Sequence, residues 1–332
     1  MKIPILETRE LRRYFPVRTG IFLRKSGDVR AVDGVSLKVH RGETVGLVGE
    51  SGCGKSTVGK TILNLLKPTS GQVIFEGKDL STIGRAQWRL LRRKMQIIFQ
   101  DPMESLNSRH TVGEILEEPF IIHKLGSSTQ RRAWVQELLK KVGLTASSIG
   151  RFPHEFSGGQ RQRIGIARAI ALKPKLIVCD EAVSALDVSV QAQIINLLLE
   201  LQRKMELSLL FIAHDLSVVR HLSDRVAVMY LGQIVEEASS DEIYQNPTHP
   251  YTRALISAIP VPSPKNIRDR VILEGDVPSP INPPSGCRFH TRCAYSKPDC
   301  QRKIPKMEEV KSSHYVSCLR WRELPASMIQ IP

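Results

Sequence analysis

Between Thr44 and Tyr230 the chain alternates short apolar runs with longer segments whose apolar residues recur every third or fourth position. Thr44–Val48, Gln96–Phe99, Leu176–Cys179, Leu209–Ala213 and Val226–Tyr230 are too short for stable helices. They lack the polar alternation of a half-exposed strand, so they predict strands covered on both faces. Val58–Leu66, Arg131–Val142, Gln160–Ala171 and Val190–Met205 carry the helical period. Strands separated by helices predict an α/β fold whose sheet has a parallel core. No repeat of solenoid or propeller length interrupts this pattern, and one such domain is expected.

The pattern changes near Pro247–Pro250. Thirteen of the 20 prolines lie after residue 246, in stretches such as Pro260–Pro264 and Pro278–Pro284. Proline lacks a backbone donor and interrupts helices and central strands, so a loop-rich appendix is expected there. The organisation predicted is residues 1–246 as the α/β domain and 247–332 as a small extension. With 332 residues and 41% hydrophobic content, a sizeable core is assured.

No apolar run reaches the roughly 18 residues that cross a bilayer. The longest, Ile194–Leu199, is broken by Asn196. Met1–Glu10 lacks a basic stretch followed by an apolar one. A cytosolic chain is therefore expected, reaching a membrane only through a partner. The balance of 48 Lys+Arg against 33 Asp+Glu, a net charge of +15, favours polyanions. Nucleotide phosphates, nucleic acid and an anionic membrane face all satisfy it.

Candidate chemistry narrows the choice. Gly49, Glu50, Ser51, Gly52, Cys53, Gly54, Lys55, Ser56 and Thr57 fit the pattern G-x-x-x-x-G-K-[ST]. The run lies between a predicted strand and a predicted helix, as phosphate binding requires. Its glycines allow backbone N–H groups to turn inward, and the helix start adds partial positive charge. Lys55 is suited to the β- and γ-phosphates, and the Ser56 hydroxyl to Mg²⁺. The apolar run Leu176–Cys179 delivers Asp180, a second Mg²⁺ candidate, followed at once by Glu181, suited to polarising the attacking water. No Asn-Lys-x-Asp element for guanine is present, which argues against a GTPase.

Further motifs carry a family resemblance. Phe156-Ser157-Gly158-Gly159-Gln160, followed by Arg161 and Arg163, resembles the signature motif of ABC transporter ATPases. The resemblance implies an ABC-type phosphate-loop fold with a helical subdomain inserted at about residues 101–160. It also implies that Ser157, Gly158, Gly159 and Gln160 face the nucleotide of a second ATPase chain. Gln100 is similar to the Q-loop glutamine that contacts Mg²⁺ and senses the membrane partner. Ser184–Asp187 is similar to the D-loop, and His214 to the switch histidine at the γ-phosphate. Phe15, or its neighbour Tyr14, is similar to the aromatic that stacks on adenine. By that resemblance Glu181, His214 and Gln100 are the catalytic candidates.

Within the ABC family, Phe99–Asn107, Phe152–Phe156 and Asn246–Arg253 resemble the dipeptide/oligopeptide importers, with Gln160 and Ile166–Ala169 nearer the second of their paired ATPases. Ser108 departs from the proline common in that group. The resemblance implies a paralogous ATPase partner, two transmembrane permease subunits, an extracytoplasmic binding protein and a place on the cytoplasmic membrane face. It leaves peptides, nickel complexes and oligosaccharides open as cargo. A soluble ABC ATPase acting on nucleic acid would suit the charge, but such proteins usually carry two ABC domains or a long coiled coil, and this chain has neither. No nucleic-acid partner is expected.

Six cysteines in a reducing compartment do not suggest a disulfide framework. Cys287, Cys293, Cys300 and Cys318 follow the spacing C-x5-C-x6-C-x17-C. Four thiolates suit a [4Fe–4S] cluster or a structural Zn²⁺, and packed metal-free thiols are the third reading. The C-x-x-C knuckles of zinc ribbons are missing, and the family resemblance favours the cluster. His290 and His314 are further zinc candidates.

Overall fold

A computed structural model describes residues 3–20, 24–259 and 271–325. The chain divides into two compact units, one of Met1–Val39, Thr44–Ser81 and Ala213–Pro332, the other of His40–Glu43 and Thr82–Ile212.

The first unit begins with an antiparallel pair, β1 (Leu6–Thr19) and β2 (Arg24–Val39). Leu6, Thr8 and Leu11 are buried on β1, while charged residues occupy much of its remainder. Next come β3 (Thr44–Val48), buried at every position, and α1 (Lys55–Ile62). α1 stops four residues short of the predicted Leu66 and starts three earlier than the predicted Val58. β4 (Ser70–Phe75) pairs with β1, and β5 (Lys78–Asp79) with β4, giving a four-stranded antiparallel sheet in the order β2-β1-β4-β5. The sequence pattern did not predict this sheet. Its strands are amphipathic and irregular, with register shifts on both sides of Leu11.

The second unit holds α2 (Arg85–Leu91), β6 (Met95–Ile98), α3 (Pro102–Ser105), α4 (Val112–Ile122) and α5 (Ser128–Lys141). α6 (Gly158–Ile170), β7 (Leu176–Asp180), α7 (Val188–Met205) and β8 (Ser208–Ala213) follow. β6, β7 and β8 pair in parallel, as buried apolar runs joined by helices require. Reciprocal capping boxes start α4 (Thr111 with Glu114) and α5 (Ser127 with Gln130).

The chain then returns to the first unit with α8 (Leu216–Leu222), β9 (Arg225–Tyr230), β10 (Gln233–Ser239) and α9 (Ser240–Gln245). β9 runs parallel to β3 and antiparallel to β10. The proline-rich part is less irregular than predicted. α10 (Pro250–Ser257) tolerates Pro250 because it sits in the first turn, where no intrahelical donor is needed. β11 (Glu308–Lys311) and β12 (His314–Val316) pair with each other, and β12 adds to the edge of β10. Among the described residues no helix is long and apolar enough to cross a membrane.

Candidate functional site

The phosphate-loop residues connect β3 to α1 within the first unit. Gly49 and Gly54 adopt φ of 153° and 106°. A Cβ on Gly49 would lie 2.1 Å from the Met229 carbonyl oxygen, and one on Gly54 would lie 1.9 Å from that of Ala31. Only glycine fits either place, so the loop is pressed against backbone on its outer side. No side chain caps α1, whose N-cap is Gly54 itself. Its first N–H groups are therefore available to an anion.

Lys55 is 3% exposed, and its Nζ donates to the carbonyls of Gly49 (2.8 Å) and Glu50 (2.9 Å). The amine is folded over the loop it would share with a phosphate. Cys53 is buried, and burial pushes its thiol pKa up despite the neighbouring Lys55 charge. It is a packed thiol within the loop.

Glu50 is held by the C-terminal extension. Its N–H donates to the Tyr251 hydroxyl (2.9 Å), and its carboxylate takes Arg292 Nη1 at 3.2 and 2.9 Å. Burial disfavours the Arg292 charge, but Glu50 and Tyr230 beside it hold its pKa above the ordinary arginine value. Tyr251 lies in a buried ring cluster with Tyr230 (centroids 4.8 Å apart) and Phe289 (5.4 Å). Sequence reasoning missed this arrangement. Arg292 and Glu50 are 242 positions apart, and no local pattern joins them.

The two adenine candidates are separated by strand geometry, because neighbouring residues face opposite sides. The Tyr14 hydroxyl donates to Asp33, which also takes Arg288 and Arg12. Burial alone would raise the Asp33 carboxyl, but the Tyr14 hydroxyl and the Arg288 and Arg12 guanidiniums outweigh it and hold it below the usual aspartate value. The Phe15 ring has the Arg13 guanidinium 4.4 Å from its centroid. His214 follows β8 and is exposed.

Within the second unit, Asp180 ends β7 and is 4% exposed. Glu181 adopts φ 48°, a conformation uncommon for a side-chain-bearing residue. Its carbonyl accepts from the Ser184 N–H and hydroxyl, which holds this turn. Gln100 lies just past β6 and is exposed. Ser157 is the N-cap of α6. Its hydroxyl accepts from the Gln160 N–H (3.3 Å), and the Gln160 side chain takes the Ser157 N–H (3.1 Å). A Cβ on Gly159 would lie 2.4 Å from Val190 Cγ1, so this glycine lets α6 approach α7 closely. Asp187 caps α7, and its hydrogen bond from Val190 N–H lowers its pKa. A cavity beside the α6 start is lined by Ser157, Gly159, Gln160, Arg163, Val190 and Gln193.

The four extension cysteines line one small cavity of about 10 Å³, with His249 and His290 beside them. All six cysteines are free thiols. Burial, and then the neighbouring thiols, raise Cys287 to about 11 and Cys318 to about 12. Among the described residues no group of three or more His, Cys, Asp or Glu side chains is placed to hold a metal ion as it stands. Two sulfurs have other partners: Cys318 Sγ accepts from Arg320 N–H (3.4 Å), and Cys300 Sγ faces Asp299 (3.9 Å). His290 Nδ1 meets the Cys287 carbonyl oxygen (2.8 Å), whereas His314 bonds Glu236 on β10, so of the two histidines named as zinc candidates His290 is the one that lines the thiol cavity.

Residues 32–184 match the family described as ABC transporter, and residues 235–300 match the oligopeptide/dipeptide transporter C-terminal region. The chain is 56% identical over 317 residues to the oligopeptide transport ATP-binding protein AppF of Bacillus subtilis, covering 95% of this chain and 96% of that one. It belongs to the oligopeptide/dipeptide family of ABC transporter ATP-binding subunits. This ABC ATPase is also 54% identical over 321 residues to OppF of Escherichia coli, with 95% and 96% covered. The ATP-binding cassette MJ0796, solved as a dimer with ADP and Pi, aligns at TM-score 0.63 and 29% identity over 71% of this chain and 98% of its own. CbiO1 of Clostridium perfringens aligns at TM-score 0.63 and 27% identity, covering 73% of this chain and 90% of that one. The chain is the ATP-hydrolysing subunit of an ABC importer, with ATP and Mg²⁺ as its nucleotide and metal.

Proposed function

We propose that this ATPase drives import of di- or oligopeptides from the cytoplasmic membrane face, paired with a paralogous ATPase and serving two permease subunits and an extracytoplasmic binding protein. The observation that supports this reading most is the glycine-built loop over Gly49–Thr57 in a chain 56% identical to a peptide-transport ATPase. We assign the ATPase domain to residues 1–246, its helical subdomain to about 101–160, and the extension to 247–332.

In this reading Lys55 and the N–H groups of residues 49–57 bind the phosphates, and one of Phe15 and Tyr14 stacks on adenine. Ser56, Gln100 and Asp180 would hold Mg²⁺, which when bound would supply positive charge against the phosphates. Glu181 orients and polarises the water, and His214 contacts the γ-phosphate. Ser157, Gly158, Gly159, Gln160 and Asp187 serve the second nucleotide across the ATPase pair. Glu181→Gln in the assembled transporter is expected to bind ATP normally and lose nearly all steady-state turnover. Turnover at the wild-type rate would remove Glu181 from its role.

We further assign Cys287, Cys293, Cys300 and Cys318 to a metal centre, with a [4Fe–4S] cluster favoured over Zn²⁺. Four soft donors around one cavity support it, and a cation would offset the cost of ionising such raised thiols. The centre would supply a structural staple to a loop-rich extension. Anaerobic purification followed by iron, sulfide and zinc analysis tests it; a colourless, metal-free protein that melts at the same temperature after chelation refutes it.

A further inference from the structure

The extension could have been a remote appendage; instead it grips the phosphate loop. Glu50 is restrained at three points: its N–H by Tyr251 Oη, its carboxylate by Arg292, and its carbonyl by Lys55. The Arg292 and Glu50 side chains are only 8% and 24% exposed, so the pair is poorly screened by solvent. Four residues earlier, Arg288 donates to the Leu231 carbonyl and to Asp33. Asp33 in turn holds the Tyr14 hydroxyl, next to Phe15. Both arginines belong to the Cys287–Cys293 segment, and Phe289 between them packs on Tyr230 and Tyr251.

These restraints are unequal once nucleotide binds. Any donor that Lys55 Nζ gives to a phosphate is one withdrawn from its present partners, the carbonyls of Gly49 and Glu50 and the Cys53 sulfur. Arg292 holds the Glu50 carboxylate and takes none of the loop's N–H groups, so its bond can persist, while the Glu50 N–H is already given to the Tyr251 hydroxyl and is the donor the phosphates do not use. A loop held in shape before and during binding costs less ordering entropy and keeps its N–H groups aimed at the anion.

We propose that Arg292 is a positioning residue for ATP, holding the phosphate loop through Glu50, with Arg288 anchoring the same segment at Asp33. This rests on the assignment of Gly49–Thr57 as the nucleotide site. The Cys287–Cys293 segment thereby acts on nucleotide affinity through Arg288 and Arg292.

The test uses the full chain with its partner subunits, a fluorescent ATP analogue with Mg²⁺, and steady-state ATP hydrolysis. Arg292→Ala raises Kd and KM about tenfold while kcat changes less than about twofold, the expected loss of a charged hydrogen bond that shapes binding. Arg292→Lys recovers most of the affinity. Glu50→Gln weakens binding similarly, and the double variant is no worse than the weaker single one, because one interaction is removed either way. Should Arg292→Ala fail to fold, Glu50→Gln and Arg292→Lys decide the question from the two sides of the pair. A lowered melting temperature with unchanged KM, or additive effects in the double variant, would overturn the proposal. Lys55→Ala separates the two levels. If it abolishes analogue binding while Arg292→Ala binds normally, only the positioning role fails; if Lys55→Ala itself binds normally, the nucleotide site is wrongly assigned.

Discussion

His314 Nε2 lies 2.7 Å from a carboxylate oxygen of Glu236, and both side chains are closed to solvent, at 2% and 0% exposure. Glu236 also accepts from the N–H groups of Thr248 (2.6 Å) and His249 (2.9 Å). One carboxylate on β10 therefore ties down the start of β12 and the entrance to α10. His314→Ala leaves a buried acceptor short of one donor. The expected loss is about 2–3 kcal/mol of stability, read by urea denaturation, with faster tryptic cleavage of the C-terminal segment. Equal midpoints and equal cleavage would show that the pair contributes nothing.

Asp33 makes a pH-dependent contribution. Its folded pKa is held below the unfolded value, so its stabilisation is complete above about pH 4 and is lost as pH falls through the lower folded pKa. Asp33→Asn should accordingly be destabilised by about 1–3 kcal/mol at pH 7, and the gap to wild type should narrow at pH 3. Denaturation curves at the two pH values measure both numbers. A gap that is the same at pH 3 as at pH 7 would mean that the carboxylate charge is not what holds Tyr14, Arg12 and Arg288.

The parallel strands were legible because burial on both faces leaves an unbroken apolar run, and all five predicted strands occur with bounds shifted by no more than one residue. The phosphate loop was legible because phosphate binding needs glycine and lysine at fixed local spacing. β1 was not, since Arg9, Arg12 and Arg13 obscure its period and four register shifts against β2 break it. α10 hid behind the prolines at 247 and 250, although proline in a first turn is permitted. The Arg292–Glu50 bond could not be read at all. It depends on tertiary packing between residues 242 positions apart, and nothing in either local sequence names its partner.

Gly159 admits two physical explanations that one experiment separates. An alanine there would place Cβ 2.4 Å from Val190 Cγ1, and overpacking of this kind costs about 1–3 kcal/mol. Val190→Ala removes the obstructing carbons, so the double variant should regain most of the lost stability in a thermal melt. If close packing of α6 on α7 is the whole reason for the glycine, ATP turnover of the assembled transporter returns with stability. If the Gly159 N–H must also approach a phosphate across the ATPase pair, the added methyl keeps the phosphate away. In that case stability recovers while turnover stays low. We expect the second outcome, because the α6 start spends Ser157 and Gln160 on capping each other and leaves the glycine N–H groups to meet an anion.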